Sequence, residues 1–137
     1  MSANRPDAGL RTSPIFDPSK DSDRLELAKF IVHTADLSGQ ASPYEQAKEW
    51  GDKIVREFRN EREQHVKEGF TPPSFTQNID SRKQELLTQS SFIGNIVLPL
   101  WESMHKVVGC LDVPVDHLRS NRKLYEQEAS TIFRQDG

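Results

Sequence analysis

The stretch that decides the fold is Leu86-Leu87-Thr88-Gln89-Ser90-Ser91-Phe92-Ile93-Gly94-Asn95-Ile96-Val97-Leu98-Pro99-Leu100-Trp101-Glu102-Ser103-Met104-His105-Lys106-Val107-Val108. Its apolar residues recur at helical rather than alternating spacing. This predicts a helix from about Asp80 or Ser81 to Val108, ended by Gly109, and makes it the core helix. Pro99 has no N–H to give to the preceding turn, and its ring crowds that turn. The helix is therefore expected to kink or divide there. The pattern is apolar around much of the circumference. Partner helices of mixed polarity leave such a surface incompletely covered, so part of it is expected to pack on further protein.

Three more helices are predicted outward from this core. The first runs from about Asp21 to Asp36, with Leu25, Leu27, Ala28, Ile31, Val32 and Ala35 mostly at helical spacing. The second opens at Ser42-Pro43-Tyr44-Glu45, read as a capping box with Ser42 at the N-cap and Glu45 at the third helical position. Its stripe is Tyr44, Ala47, Trp50, Ile54 and Phe58. It then becomes a charged rod from Arg59 to Glu68, with Gly69 as C-cap. Phe70 to Ile79, with Pro72-Pro73, reads as an irregular loop. The fourth helix begins at Pro114 and carries Val115, Leu118, Leu124 and Tyr125. No alternating strand pattern or internal repeat occurs. The fold class is all-α, a compact multi-helix bundle. Residues 1–20 read as a flexible leader or linker with Ile15 and Phe16 as a short docking contact, 21–130 as the domain, and 131–137 as a tail.

A chain of 137 residues supports one domain with a modest core. Its net charge of −3 gives no electrostatic case for nucleic acid or an anionic membrane. No apolar run approaches the roughly 20 residues that span a bilayer. Residues 1–20 lack the apolar segment of a signal peptide. A single cysteine, Cys110, excludes an internal disulfide and fits a reducing compartment, so the expected location is cytoplasmic.

The candidate site residues begin with Asp36, in His33-Thr34-Ala35-Asp36-Leu37-Ser38. A carboxylate at a helix C-terminus faces the negative end of the dipole and needs a cation or a local hydrogen bond. Metal ligand, general base and Asx-turn residue all remain open. The histidines His33, His65, His105 and His117 are widely spaced. None pairs with another at i, i+4, so Asp36 is at most one ligand of a larger metal site. His33 reads as a partly buried structural residue, or as one sharing the face of Asp36. Gln89 and Phe92, at i, i+3, share a helix face. Gln89 is either a boundary residue bonding backbone or water, or the reader of a planar heterocycle's edge while Phe92 stacks on its face. The charged run Glu57 to Glu68 reads as a solvated helix end with i, i+4 pairs. Neither a phosphate-binding glycine loop nor a nucleophile elbow occurs.

Taken in order, these segments resemble class I cyclic nucleotide phosphodiesterases. Val32-His33-Thr34-Ala35-Asp36-Leu37-Ser38 is similar to the family's metal-ligand segment. Trp50, Ile54 and Glu57-Phe58 follow at the family's spacing. Gln89-Ser90-Ser91-Phe92-Ile93 resembles its nucleobase segment, and Pro99-Leu100-Trp101-Glu102 and Asn121-Arg122 its later motifs. The likeness runs from about Asp23 to Ala129.

The resemblance implies the C-terminal part of an all-helical catalytic domain that hydrolyses cAMP or cGMP to the 5′-monophosphate. Such a domain works with two divalent metals, zinc at the tight site and magnesium or manganese at the second. It implies Asp36 as a ligand of the tight metal, Gln89 as hydrogen-bonding the purine, Phe92 with Ile54 as clamping its faces, and Phe58 as lining the pocket. The family's other ligands and its acid histidine belong to upstream histidine motifs that do not occur here. No catalytic residue is therefore assigned in this chain, and the isolated chain is expected to be inactive. The implied partners are the cyclic nucleotide and the N-terminal half of the domain; a homodimer is left open. The alternative is a non-catalytic helical interaction module derived from a truncated phosphodiesterase. Gly39 stands where many members have asparagine, and Leu124 where an aromatic is usual.

Overall fold

The core rod divides where its proline requires it. In the computed structural model, which describes residues 16–132, Arg82–Phe92 (α3) passes through a π turn at Ile93–Val97 into Leu98–Val108 (α4). The Leu98 N–H reaches back five residues to the Ile93 carbonyl. That wider turn accommodates Pro99, which cannot donate to the α ladder and would crowd the carbonyl four residues before it. Gly94 lies in this turn, where a Cβ would sit 2.9 Å from Cζ at the end of the exposed Arg122 side chain.

The other helices are Asp21–Asp36 (α1), Tyr44–Lys67 (α2) and Asp112–Ile132 (α5), with short 3-10 turns at Ser38–Ala41 and Ser74–Thr76. No strand occurs among the described residues. The all-α bundle is as the periodicity predicts. α5 runs two residues past position 130 into the segment read as a tail; residues 133–137 lie outside the described residues, as do 1–15 of the leader, Ile15 included. α5 starts at Asp112, with Pro114 inside its first turn, where the missing N–H breaks no bond.

α3 packs most extensively on α5. Leu86, Ile93 and Val97 meet Leu118, Tyr125 and Ala129 in one buried cluster that includes Ala41. A salt-linked seam joins α2, α3 and α5. Lys48 Nζ and the Tyr44 hydroxyl both donate to Glu128 at 2.7 Å, while Arg82 reaches Asp52 at 2.7 Å and Glu85 at 3.0 Å.

Two details differ from the sequence reading. α2 begins one residue later than expected. Pro43 is its extended N-cap, with no side-chain cap bond, and the Ser42 carbonyl accepts from Asn121 Nδ2 at 2.8 Å. The capping box is found at α3 instead. Ser81 Oγ accepts from the Gln84 N–H, and the Gln84 side chain accepts from the Ser81 N–H.

The charged end of α2 is also more than a solvated rod. Arg59 holds Glu85 and the Ile79 carbonyl, and Arg62 holds Asp80 and the Thr76 carbonyl. Together they tie down the loop expected to be irregular. Gly69 does end α2, in the left-handed conformation at φ 79°. The Phe70 N–H bonds the His65 carbonyl and the Gly69 N–H bonds that of Val66, the pair that closes a Schellman motif.

Candidate functional site

Asp36 is the last residue of α1, on the exposed rim of a cavity of about 260 Å³. The chain turns sharply after it, since the 3-10 turn Ser38–Ala41 follows at once. The same cavity is lined by Gly39, Gln40, Trp50, Ile54 and Phe92. Trp50 lies over Gly39, where a Cβ would be 3.0 Å from the indole Cγ. The Lys53 ammonium stands 4.8 Å from the centre of its ring. Any larger residue at position 39 would displace the indole. His33, one turn before Asp36, is exposed and not the partly buried histidine expected.

A second, more apolar cavity of about 460 Å³ adjoins the first. Ile54 and Phe92 line both and form the wall they share. Phe58, Gln89, Phe75 and Ile96 also line the second, with the polar Thr88, Ser91 and Asn95. Phe58 and Phe75 meet edge to face with centroids 5.0 Å apart, so the loop closes one side of the slot. All five sequence-derived site residues are thus gathered: Asp36 at one cavity, Gln89 and Phe58 at the other, Ile54 and Phe92 between.

The Gln89 side chain is buried on α3, with its amide held at both ends. Its Nε2 donates to the Gly51 carbonyl at 3.2 Å, and its Oε1 accepts from Gln40 Nε2 at 3.0 Å. A carbonyl only accepts, so the Gly51 contact determines which end of the amide is nitrogen. Each end keeps one unused position, an N–H and a lone pair. Gln40 is in turn held by its backbone, whose carbonyl accepts from Asn121 Nδ2 at 2.9 Å.

Behind this amide pair lies the Tyr125 hydroxyl. It and Gln40 Oε1 are buried without a hydrogen bond of good geometry, although the Gln40 side chain lies near enough to the hydroxyl to act on it. Burial, and then the Asp52 charge, push the hydroxyl's pKa well above its ordinary value, so it stays a neutral phenol. Gly51 allows this crowding. A Cβ there would lie 2.9 Å from the Tyr125 oxygen and 3.1 Å from Gln89 Cδ. None of Gln40, Gly51, Tyr125 and Phe75 was assigned to the site from the sequence, where Tyr125 was read only on the fourth helix. Gln40 meets Gln89 across 49 positions, and no local pattern marks such a contact.

One carboxylate does not make a metal site. Among the described residues no group of three or more His, Cys, Asp or Glu side chains is placed to hold an ion. Asp36 suits a metal only as one donor among others that lie elsewhere. No helix is long and apolar enough to cross a membrane among the described residues.

Comparison with known proteins places the chain in a class. Residues 6–118 match the family described as 3′5′-cyclic nucleotide phosphodiesterase, and the chain belongs to that family. The match begins inside the segment read as a leader. Similar proteins include a probable 3′,5′-cyclic phosphodiesterase pde-3 of Caenorhabditis elegans, 28% identical over 66% of this chain and 13% of that protein. The high affinity cGMP-specific 3′,5′-cyclic phosphodiesterase 9A of Drosophila melanogaster is 29% identical over 72% of this chain and 6% of its own length. The 3′,5′-cyclic-AMP phosphodiesterase 4C of Mus musculus is 30% identical over 77% and 15% respectively. The chain therefore spans a small part of the relatives it matches.

Proposed function

We propose that this chain supplies the nucleobase slot and one metal ligand of a phosphodiesterase catalytic domain that opens 3′,5′-cyclic nucleotides, cAMP or cGMP, to 5′-monophosphates. The observation that carries this is the Gln89 amide, oriented by Gly51 and Gln40 beside a slot walled by Ile54, Phe58 and Phe92. A purine edge offers a donor beside an acceptor, which the free lone pair and free N–H of one fixed amide match. Phe92 and Ile54 take the two faces of the ring, and Phe58 lines the floor.

Asp36 donates to the tight divalent ion, zinc in this reading, with magnesium or manganese at a second position. Such ions acidify water and neutralise phosphate charge. Their other ligands, and the acid that protonates the leaving oxygen, come from the N-terminal part of the domain. The uncovered apolar side chains of α1 and the end of α4 support that partner. Leu25, Ile31, Val32, Val107 and Val108 are between 45% and 61% exposed, apolar side chains that a further partner would cover. A free, exposed Cys110 suits a cytoplasmic location.

The lone carboxylate also favours a second reading, a non-catalytic interaction module using the same apolar face. Titration of the isotope-labelled chain with cAMP and cGMP, against ribose 5-phosphate, separates the two. The nucleotides are expected to shift the Gln89 side-chain amide with Ile54 and Phe92, and Gln89→Ala to abolish those shifts. No perturbation there up to about 10 mM, a binding energy of only about −2.7 kcal/mol, would leave the interaction module standing. The pure chain is expected to hydrolyse neither nucleotide with zinc and magnesium present; turnover would refute the incomplete site.

A further inference from the structure

The turn between α4 and α5, Gly109 to Leu111, is held at its start by the Gly109 N–H on the His105 carbonyl at 2.7 Å and at its end by the His105 imidazole. The Leu111 N–H donates to His105 Nδ1 at 3.0 Å. The Leu111 carbonyl accepts the first bond of α5, from the Val115 N–H at 3.2 Å. Gly109 holds the chain in the left-handed conformation at φ 69°, so the backbone doubles back onto His105. Because Nδ1 is accepting, the neutral ring carries its proton on Nε2, which faces Asp112 Oδ1 at 3.5 Å. The next proton can add only at Nδ1. There it would set N–H against N–H and remove the bond that anchors Leu111.

The charged groups around the ring pull in both directions. Glu102 and Lys106 of α4, with Asp112, Asp116 and Arg119 of α5, line the same cavity. Arg119 is already engaged by Glu102 at 2.8 Å and Asp116 at 3.4 Å. α1 meets α4 at Val107, beside Asp23 and Glu26 in a separate groove. Asp112 at Nε2 offers the imidazolium an ion pair in exchange for the lost turn bond.

We propose that His105 is a proton-sensitive latch on the α4–α5 turn: neutral, it holds the Leu111 N–H at Nδ1; protonated, it releases that N–H while Nε2 stays on Asp112. Farther along α5 are Asn121 and Tyr125, which back Gln40 and Gln89, so the latch fastens the helix behind the proposed base slot. The inference itself needs no nucleotide and stands apart from the proposed activity.

The test is amide hydrogen exchange of Leu111 in the 137-residue chain, corrected for the intrinsic pH dependence, with the His105 ring followed by its own nitrogen shifts. Leu111 protection is expected to fall about tenfold in step with the ring's titration, as one hydrogen bond is lost. His105→Asn keeps an acceptor that does not titrate. It should hold Leu111 protected throughout, whereas His105→Ala should leave it unprotected at every pH. A neutral ring with its proton on Nδ1, or Leu111 protection unchanged while the ring titrates, would overturn the latch. So would loss of protection in the Asn variant with the wild-type pH profile.

Discussion

Gly51→Ala is the substitution on which the reading of the site depends most directly. By helix propensity alone, alanine inside α2 should stabilise by about 1 kcal/mol. The structure predicts the reverse. The new methyl would stand 2.9 Å from the Tyr125 oxygen, 3.1 Å from Gln89 Cδ and 3.3 Å from its Oε1. Neither neighbour has room to retreat, since Tyr125 is 1% and Gln89 4% exposed. Overpacking at such a site costs about 1–3 kcal/mol. Losing the bond from Gln89 to the Gly51 carbonyl adds about 1 kcal/mol. The net expectation is a loss of about 1–3 kcal/mol, read as a lower urea midpoint with an unchanged slope. Tyr125→Phe removes the closest atom and a buried hydroxyl that has no hydrogen bond of good geometry. It should be neutral or slightly stabilising alone, and should recover about half of the loss in the double variant. A Gly51→Ala chain more stable than the wild type would refute the packing of Gly51, Gln89 and Tyr125, and with it the fixed amide.

Gly94→Ala is the contrasting case. Its methyl meets the end of the Arg122 side chain, which is 49% exposed and can swing away at the cost of a surface pair with Glu126, so helix propensity should prevail and the same unfolding assay should show no loss and a gain of up to about 1 kcal/mol. Glu128→Gln tests the seam between helices. Burial raises the Glu128 pKa, but hydrogen bonds from Lys48 and Tyr44 outweigh it and hold the carboxyl below its ordinary value. Its contribution is therefore present above the unfolded-state value and lost as pH falls through the lower folded one. Wild-type stability should decline across that acidic window, and the Gln variant, weaker by about 1–2 kcal/mol at neutral pH, should lose that part of the slope. In a catalytic domain completed by its N-terminal part, Asp36→Ala should remove the tightly held metal, measured by elemental analysis; an unchanged metal content would exclude Asp36 as a ligand.

What was legible in the sequence was local. The 3.6-residue period of the 86–108 run, the glycines at 69 and 109 and the proline at 99 each act within a turn or two. The ends of α2 and α4, and the break before Pro99, follow from chain geometry alone. Gln89 and Phe92 were also legible as neighbours on one helix face; Ile54 and Phe58 were legible only as part of the apolar stripe of α2, and their place at a site was what the family resemblance implied. The capping box at Ser42 was not correctly read, because a cap needs particular backbone angles. At Ser42 the carbonyl is held by Asn121, 79 positions away, and α2 starts after Pro43 instead.

By itself, then, the sequence determined the helices, their ends and the residue types offered on each face, because those depend on neighbours close along the chain. Only the tertiary structure decided which way the Gln89 amide points, that Gly51 must have no side chain, and that Arg59 and Arg62 hold the loop carrying Phe75 over the slot. Each of these depends on a contact between distant segments, set by how α3 packs against α2 and α5. Asp36 belongs to both accounts. Its place at the end of α1 is written in the sequence, and its position beside Ile54 and Phe92 comes from the fold.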